Sequence, residues 1–120
     1  MTVWPPFGSD FATVAPRRNF SIFRIIEEGI NFCRNEHPDV VILDLLMPEM
    51  DGWEVCERIR EFSEVPILVL SALGSPASVA RALDAGADDY LIKPIHASLL
   101  ASRLRTLVRR NLVLQEQKIA

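Results

Sequence analysis

Cysteine is scarce in this 120-residue chain, with two residues, Cys33 and Cys56, and so is glycine, with five. Two cysteines without a ligand-like spacing exclude a disulfide framework and a cysteine-based metal site. Each falls on the apolar face of a predicted helix, which makes them core thiols. The two histidines, His37 and His96, also lack ligand spacing and read as helix-end residues. No strand-like stretch is followed by a glycine-rich phosphate loop, so a nucleotide-binding enzyme is disfavoured. No apolar run reaches the roughly 20 residues needed to span a bilayer. The N-terminus lacks the basic-then-apolar pattern of a secretory leader. A formal charge of −3 gives no electrostatic footprint for nucleic acid. Acids are nearly absent from the start of the chain, where Asp10 is the sole one before Glu27.

What remains is an ordinary soluble composition, 49% hydrophobic and 24% charged, of a length that supports one core. The expected compartment is the cytoplasm. The organising stretch is residues 38–53. Val40, Val41, Ile42 and Leu43 are apolar at every position, as in a strand covered on both faces. The run stops at Asp44. Pro48 and the pair Asp51-Gly52 then turn the chain, and Asp51 is a candidate N-cap for the helix that follows.

Elsewhere the chain alternates. Residues 1–18 carry Pro5, Pro6 and Pro16 and give no clear element. Asn19 to Ile25 reads as a strand and Glu27 to Glu36 as a helix, with Ile26, Ile30 and Cys33 in one stripe. Asp51 to Phe62 is a helix with Val55, Cys56, Ile59 and Phe62 on one face. Pro66 to Leu70 is a strand ending at Ser71. Ser75 caps a helix from Pro76 to Ala85 that is expected to bury Val79, Ala82 and Leu83, and Gly86 stops it. Asp89 to Ile92 is the last strand, ending at Lys93-Pro94. The final helix runs from about His96 to Lys118 and is expected to pack through Leu99, Leu100 and Leu104. Its far half offers two stripes, Leu100, Leu104, Leu107, Asn111, Leu114 and Lys118 against Val108, Leu112, Gln115 and Ile119, so a coiled coil and an amphipathic tail are both open. Alternating strands and helices with short connections predict a parallel α/β sheet covered on both faces.

Asp44, Ser71 and Lys93 stand at the C-terminal ends of three predicted strands. In a parallel sheet these ends share one edge, so the three can converge. A carboxylate nucleophile, a hydroxyl donor and an ammonium suit the acceptance of a phosphoryl group. Taken singly, each has a plain alternative: a cap, a turn residue, a solvated charge.

Three segments carry a resemblance: residues 38–53, Leu68-Val69-Leu70-Ser71-Ala72, and Gly86-Ala87-Asp88-Asp89-Tyr90-Leu91-Ile92-Lys93-Pro94. Together they resemble the receiver domains of bacterial response regulators, over roughly residues 19–110. The resemblance implies a flavodoxin-like, doubly wound parallel fold whose first strand and first helix are degenerate or missing here. It divides the chain into an atypical segment 1–18, a receiver domain 19–110 and a helix extension 111–120. It implies that Asp44 is the phosphoacceptor and that Lys93 contacts the phosphate, followed by the often cis Pro94. It makes Ser71 and Tyr90 the switch pair. Leu46 would bind Mg2+ through its backbone carbonyl beside Asp44. The acidic pair that completes that metal site in the family is not evident; Asp10 is the one acid available before Glu27. The implied partner is a sensor histidine kinase or phosphotransfer protein, without direct contact to nucleic acid or membrane. The implied role is that of a switch, not an enzyme. The rival is a pseudo-receiver that takes no phosphate and serves as a dimerisation or docking module. The stretch from Gly86 through Arg109-Arg110 resembles receivers of winged-helix transcription regulators, which dimerise through inter-subunit ion pairs. Asp89 and Arg103 are the candidate residues for such a homodimer face.

Overall fold

The computed structural model describes the backbone of residues 26–45 and 52–119 and the side chains of residues 27–43 and 53–113. The expected strand at 19–25, the segment 1–18 and the positions Asp10, Leu46, Pro48 and Asp51 lie outside the described residues.

The apolar runs become strands β1 (Val41–Leu45), β2 (Ile67–Ser71) and β3 (Asp89–Ile92). They form a parallel sheet in the order β1-β2-β3. Their side chains alternate between two cores. Val41, Leu43, Ile67 and Val69 face one cluster, with Ile30 and Cys33 of α1 (Ile26–Glu36), Val55, Cys56 and Ile59 of α2 (Gly52–Arg60), and Ala82 of α3 (Pro76–Asp84). Val40, Ile42, Leu68, Leu70 and Leu91 face the other, with Leu100, Leu104 and Leu107 of α4 (Ala97–Ile119). Helices on both faces are why these strands are apolar at every position and not at alternate ones. Each fully buried Leu or Ile contributes about 1.5–3 kcal/mol.

The expected element boundaries hold to within one or two residues. β3 runs over the expected residues, and Ser75 caps α3 by accepting from the Ser78 backbone N–H at 3.2 Å. Gly86 adopts φ +116°, which a side chain resists, and a Cβ there would lie 2.7 Å from Arg60 Cγ. His37 follows α1 with φ 50°, and the His96 carbonyl accepts from the Leu100 N–H at the start of α4.

Two expectations about burial are corrected. Leu83 is 44% exposed and Leu99 45% exposed. In each case the neighbouring position takes the core place: Ala82 on α3, and Leu100 with Ala101 on α4. Val79 is half-buried. Along α4 the stripe Leu100, Leu104, Leu107 and Asn111 is buried, whereas Leu112 and Val113 are exposed. Cys33 and Cys56 are free and fully buried, and burial pushes both thiols up to about 11.

The N-terminal edge of the sheet is closed by one side chain. Arg60, at the end of α2, donates through Nε to the Gly86 carbonyl at 3.0 Å. Its Nη1 donates to the carbonyls of Val65 at 2.7 Å and Ser63 at 3.2 Å. Its Nη2 meets Asp88 Oδ2 at 2.8 Å, and that same oxygen accepts from the Ile67 N–H at 2.8 Å. The ends of α2 and α3 and the start of β2 are thereby joined through a single guanidinium.

Candidate functional site

The parallel register brings the expected site residues to the C-terminal edge. Asp44 pairs with Leu70, and Leu45 pairs with Ser71 on the next rung. Ser71 in turn pairs with Ile92, and the Lys93 N–H donates to the Ser71 carbonyl at 2.8 Å. Asp44 on β1, Ser71 on β2 and Lys93 just past β3 therefore follow one another at successive rungs along the C-terminal edge. The Asp44 side chain lies outside the described residues. Lys93 is half-buried, and the Lys93–Pro94 peptide is cis. Gly52 begins α2, directly after the loop that follows β1.

Ser71 is 1% exposed. Its Oγ accepts from the Leu73 N–H at 3.0 Å, a side-chain turn two residues long. From β3, Tyr90 donates its hydroxyl to the Leu73 carbonyl at 2.7 Å. The two residues expected to act as a switch pair are thus joined through the peptide groups of one loop residue. Leu73 was not singled out from sequence; its position two residues beyond Ser71 was the available signal. The Tyr90 ring packs against the α1–α2 core cluster, and its own N–H donates to Asp89 Oδ1 at 2.8 Å.

Asp89 and Arg103 meet within the chain, with Nη1 3.5 Å from Oδ2. The two residues expected to pair between subunits are each other's partners here. Arg60 and Asp88, which sequence reasoning also passed over, belong to the opposite edge. No group of three or more His, Cys, Asp or Glu residues placed to hold a metal ion occurs among the described residues. Among the same residues no helix is long and apolar enough to cross a membrane.

A parallel sheet with an acid, a hydroxyl and a lysine following three adjacent strands, and a tyrosine hydroxyl tied to the hydroxyl's own loop, is the arrangement of a receiver. The chain belongs to that family: residues 19–105 match the response regulator receiver domain model. Among particular relatives, the chain is 49% identical over 84 residues to the probable transcriptional regulator ycf27 of Guillardia theta, covering 70% of this chain and 33% of the relative. It is 40% identical to the transcriptional regulatory protein AfsQ1 of Streptomyces coelicolor, covering 70% and 37%. The chain thus spans about a third of the length of the curated relatives it matches. Among solved structures, the BeF3-activated DrrB receiver domain is 30% identical with a TM-score of 0.67, over 86% of this chain and 85% of that one. A two-component response regulator from Clostridium difficile is 30% identical with a TM-score of 0.68, over 75% and 74%.

Proposed function

We propose that this receiver accepts a phosphoryl group on Asp44 from a sensor histidine kinase and changes the surface around Leu73, Tyr90 and α4. The observation that carries this reading is the double hold on Leu73. A swing of Ser71 Oγ toward a phosphate on Asp44 would carry it away from the Leu73 N–H from which it now accepts. Release of that N–H frees the loop, and the Tyr90 hydroxyl then loses the carbonyl that fixes it. A local change of hydrogen bonding is passed from β2 to β3, which biases a two-state equilibrium. Asp44 supplies the nucleophilic carboxylate, and Lys93 places positive charge on the phosphate. Output is an altered protein-contact surface. No reaction is catalysed on a separate substrate.

Receiver domains generally bind Mg2+, which neutralises charge on the transferring group. Mg2+ requires several oxygen ligands, normally with one or two carboxylates among them. The described residues gather no such set. Asp44 with the Leu46 carbonyl, joined by Asp10 as a replacement acid, are the residues we propose would hold it.

A second reading follows from the acids: Asp10 is alone before Glu27. On that reading the chain is a pseudo-receiver that docks or dimerises without being phosphorylated, and the Asp89–Arg103 face is its contact. One experiment separates the two. The chain and Asp44→Asn are exposed to acetyl phosphate and to beryllofluoride, with and without Mg2+, and followed by intact mass and by Tyr90 chemical shifts. The first reading expects a gain of one phosphoryl group that requires Mg2+ and Asp44. A folded chain that takes neither reagent overturns it and leaves the second.

A further inference from the structure

Helix α3 is lightly attached. Of its nine residues only Ala82 is buried; Val79 is half-buried and Leu83 points a substantial apolar area at solvent. Its caps tie the helix to itself. Ser75 Oγ accepts from the Ser78 N–H and donates to Ser78 Oγ at 2.8 Å, and the Ala85 and Gly86 N–H groups return to the carbonyls of Arg81 and Leu83. None of these bonds holds α3 against another element. Arg60 ties its C-terminal end through the Gly86 carbonyl, and from within the helix Arg81 reaches across to α2. The Arg81 guanidinium lies over the Trp53 ring, 3.9 Å from the centroid. Trp53 is the second residue of α2, half-buried and packed against the core cluster.

We propose that the Arg81–Trp53 stack is a latch that holds α3 in place against α2. A guanidinium over an indole face is the strongest of the side-chain cation–π pairs, and one ring edge here is already fixed by the core. The cation comes from the loosely packed helix and the ring from the firmly packed one, so breaking the contact loosens α3, which stays tied at its C-terminal end by Arg60, and leaves α2 where it is. The latch is independent of whether Asp44 is phosphorylated. It joins α3 to the helix that begins just beyond the Asp44 loop, by a route that does not pass through Ser71, Leu73 or Tyr90.

Amide hydrogen exchange on the unmodified chain tests it. Arg81→Ala is expected to speed exchange of the α3 amides by roughly two- to five-fold, the range that an exposed cation–π contact corresponds to. Exchange in α1, α2 and the strands should stay as it is. The sign is informative, because alanine is the better helix former and propensity alone would slow exchange in α3. Arg81→Met keeps the aliphatic stem without the charge and should behave as Arg81→Ala does. Trp53→Leu should also speed α3 exchange, and adding Arg81→Ala to it should speed it no further. Wild-type exchange in Arg81→Met, an acceleration shared by α1 and α2, or a full additional effect of Arg81→Ala on top of Trp53→Leu would each overturn the proposal.

Discussion

The two edges of the sheet are built in opposite ways. At the N-terminal edge Arg60 and Asp88 bind backbone groups from the end of α2, the start of β2 and the α3–β3 connection, using charge-assisted bonds. At the C-terminal edge two of the described ties are neutral bonds routed through Leu73. Exposed apolar side chains gather there and on the adjoining helices as well: Leu73, Leu83, Ile92 and Leu99. A charged bond in a partly dry setting is roughly twice as strong as a neutral one. Charge-assisted bonds from Arg60 and Asp88 tie backbone groups at the first edge, and the neutral bonds at Leu73 are the weaker ones, the kind the proposed switch would exchange.

The comparison can be broken most forcefully at Arg60. Arg60→Ala strips four acceptors of their donor and is expected to destabilise the chain by about 2–4 kcal/mol. A urea titration should show a lowered midpoint. Arg60→Lys should recover only a part, since one ammonium cannot span the Gly86, Val65 and Asp88 acceptors. Next comes Gly86→Ala, which combines a positive φ with a Cβ 2.7 Å from Arg60 Cγ. Its expected cost is about 1–3 kcal/mol, read from the same titration.

At the other edge the effects should be smaller and coupled. Ser71→Ala and Tyr90→Phe are each expected to cost about 1 kcal/mol. Because both side chains hold Leu73, the double variant should cost less than the sum of the single ones. Strict additivity would mean that the two residues do not communicate through that loop. The least effect belongs to Glu27, which makes a two-bond ion pair with Arg58 on the exposed surface of α1 and α2. The hydrogen bonds from Arg58 hold its carboxyl below the usual range. Its contribution is therefore present above the ordinary carboxylate pKa and is lost as the pH falls through the lowered one. Glu27→Gln should leave the urea midpoint within error at neutral pH, and added salt should erase any residual difference.

The sheet was legible because its signal is local. Val40 to Leu43 and Ile67 to Leu70 are apolar at every residue, and only a strand covered on both faces needs that. Asp44, Ser71 and Lys93 were legible from their places at strand ends, since a parallel sheet brings such ends to one edge. The two burial errors have a common source. Leu99 and Leu100 are adjacent, as are Ala82 and Leu83, and a short helical stripe does not say which of two neighbours faces inward. Both members of each pair were expected to face inward, and one of each is exposed. Arg60 and Arg81 were illegible for a different reason. Arg60 reaches Gly86 and Asp88, and Arg81 reaches Trp53, 26 to 28 residues away, and nothing in an arginine's local sequence reveals which distant group it will meet. Leu73 is the intermediate case, where the turn after Ser71 was readable and the tyrosine hydroxyl arriving from β3 was not.

Leu73 is gripped entirely by its peptide groups, while its side chain is 42% exposed. Any amino acid other than proline carries the same N–H and C=O. The component that links the two strands is thus spelled in the main chain, and the letter written there is free. Substitution at position 73 can repaint the outward face, making it acidic, basic or aromatic, without rewiring the bonds beneath. A lineage, or a designer, could change what the surface contacts while leaving intact the hydrogen bonds beneath it.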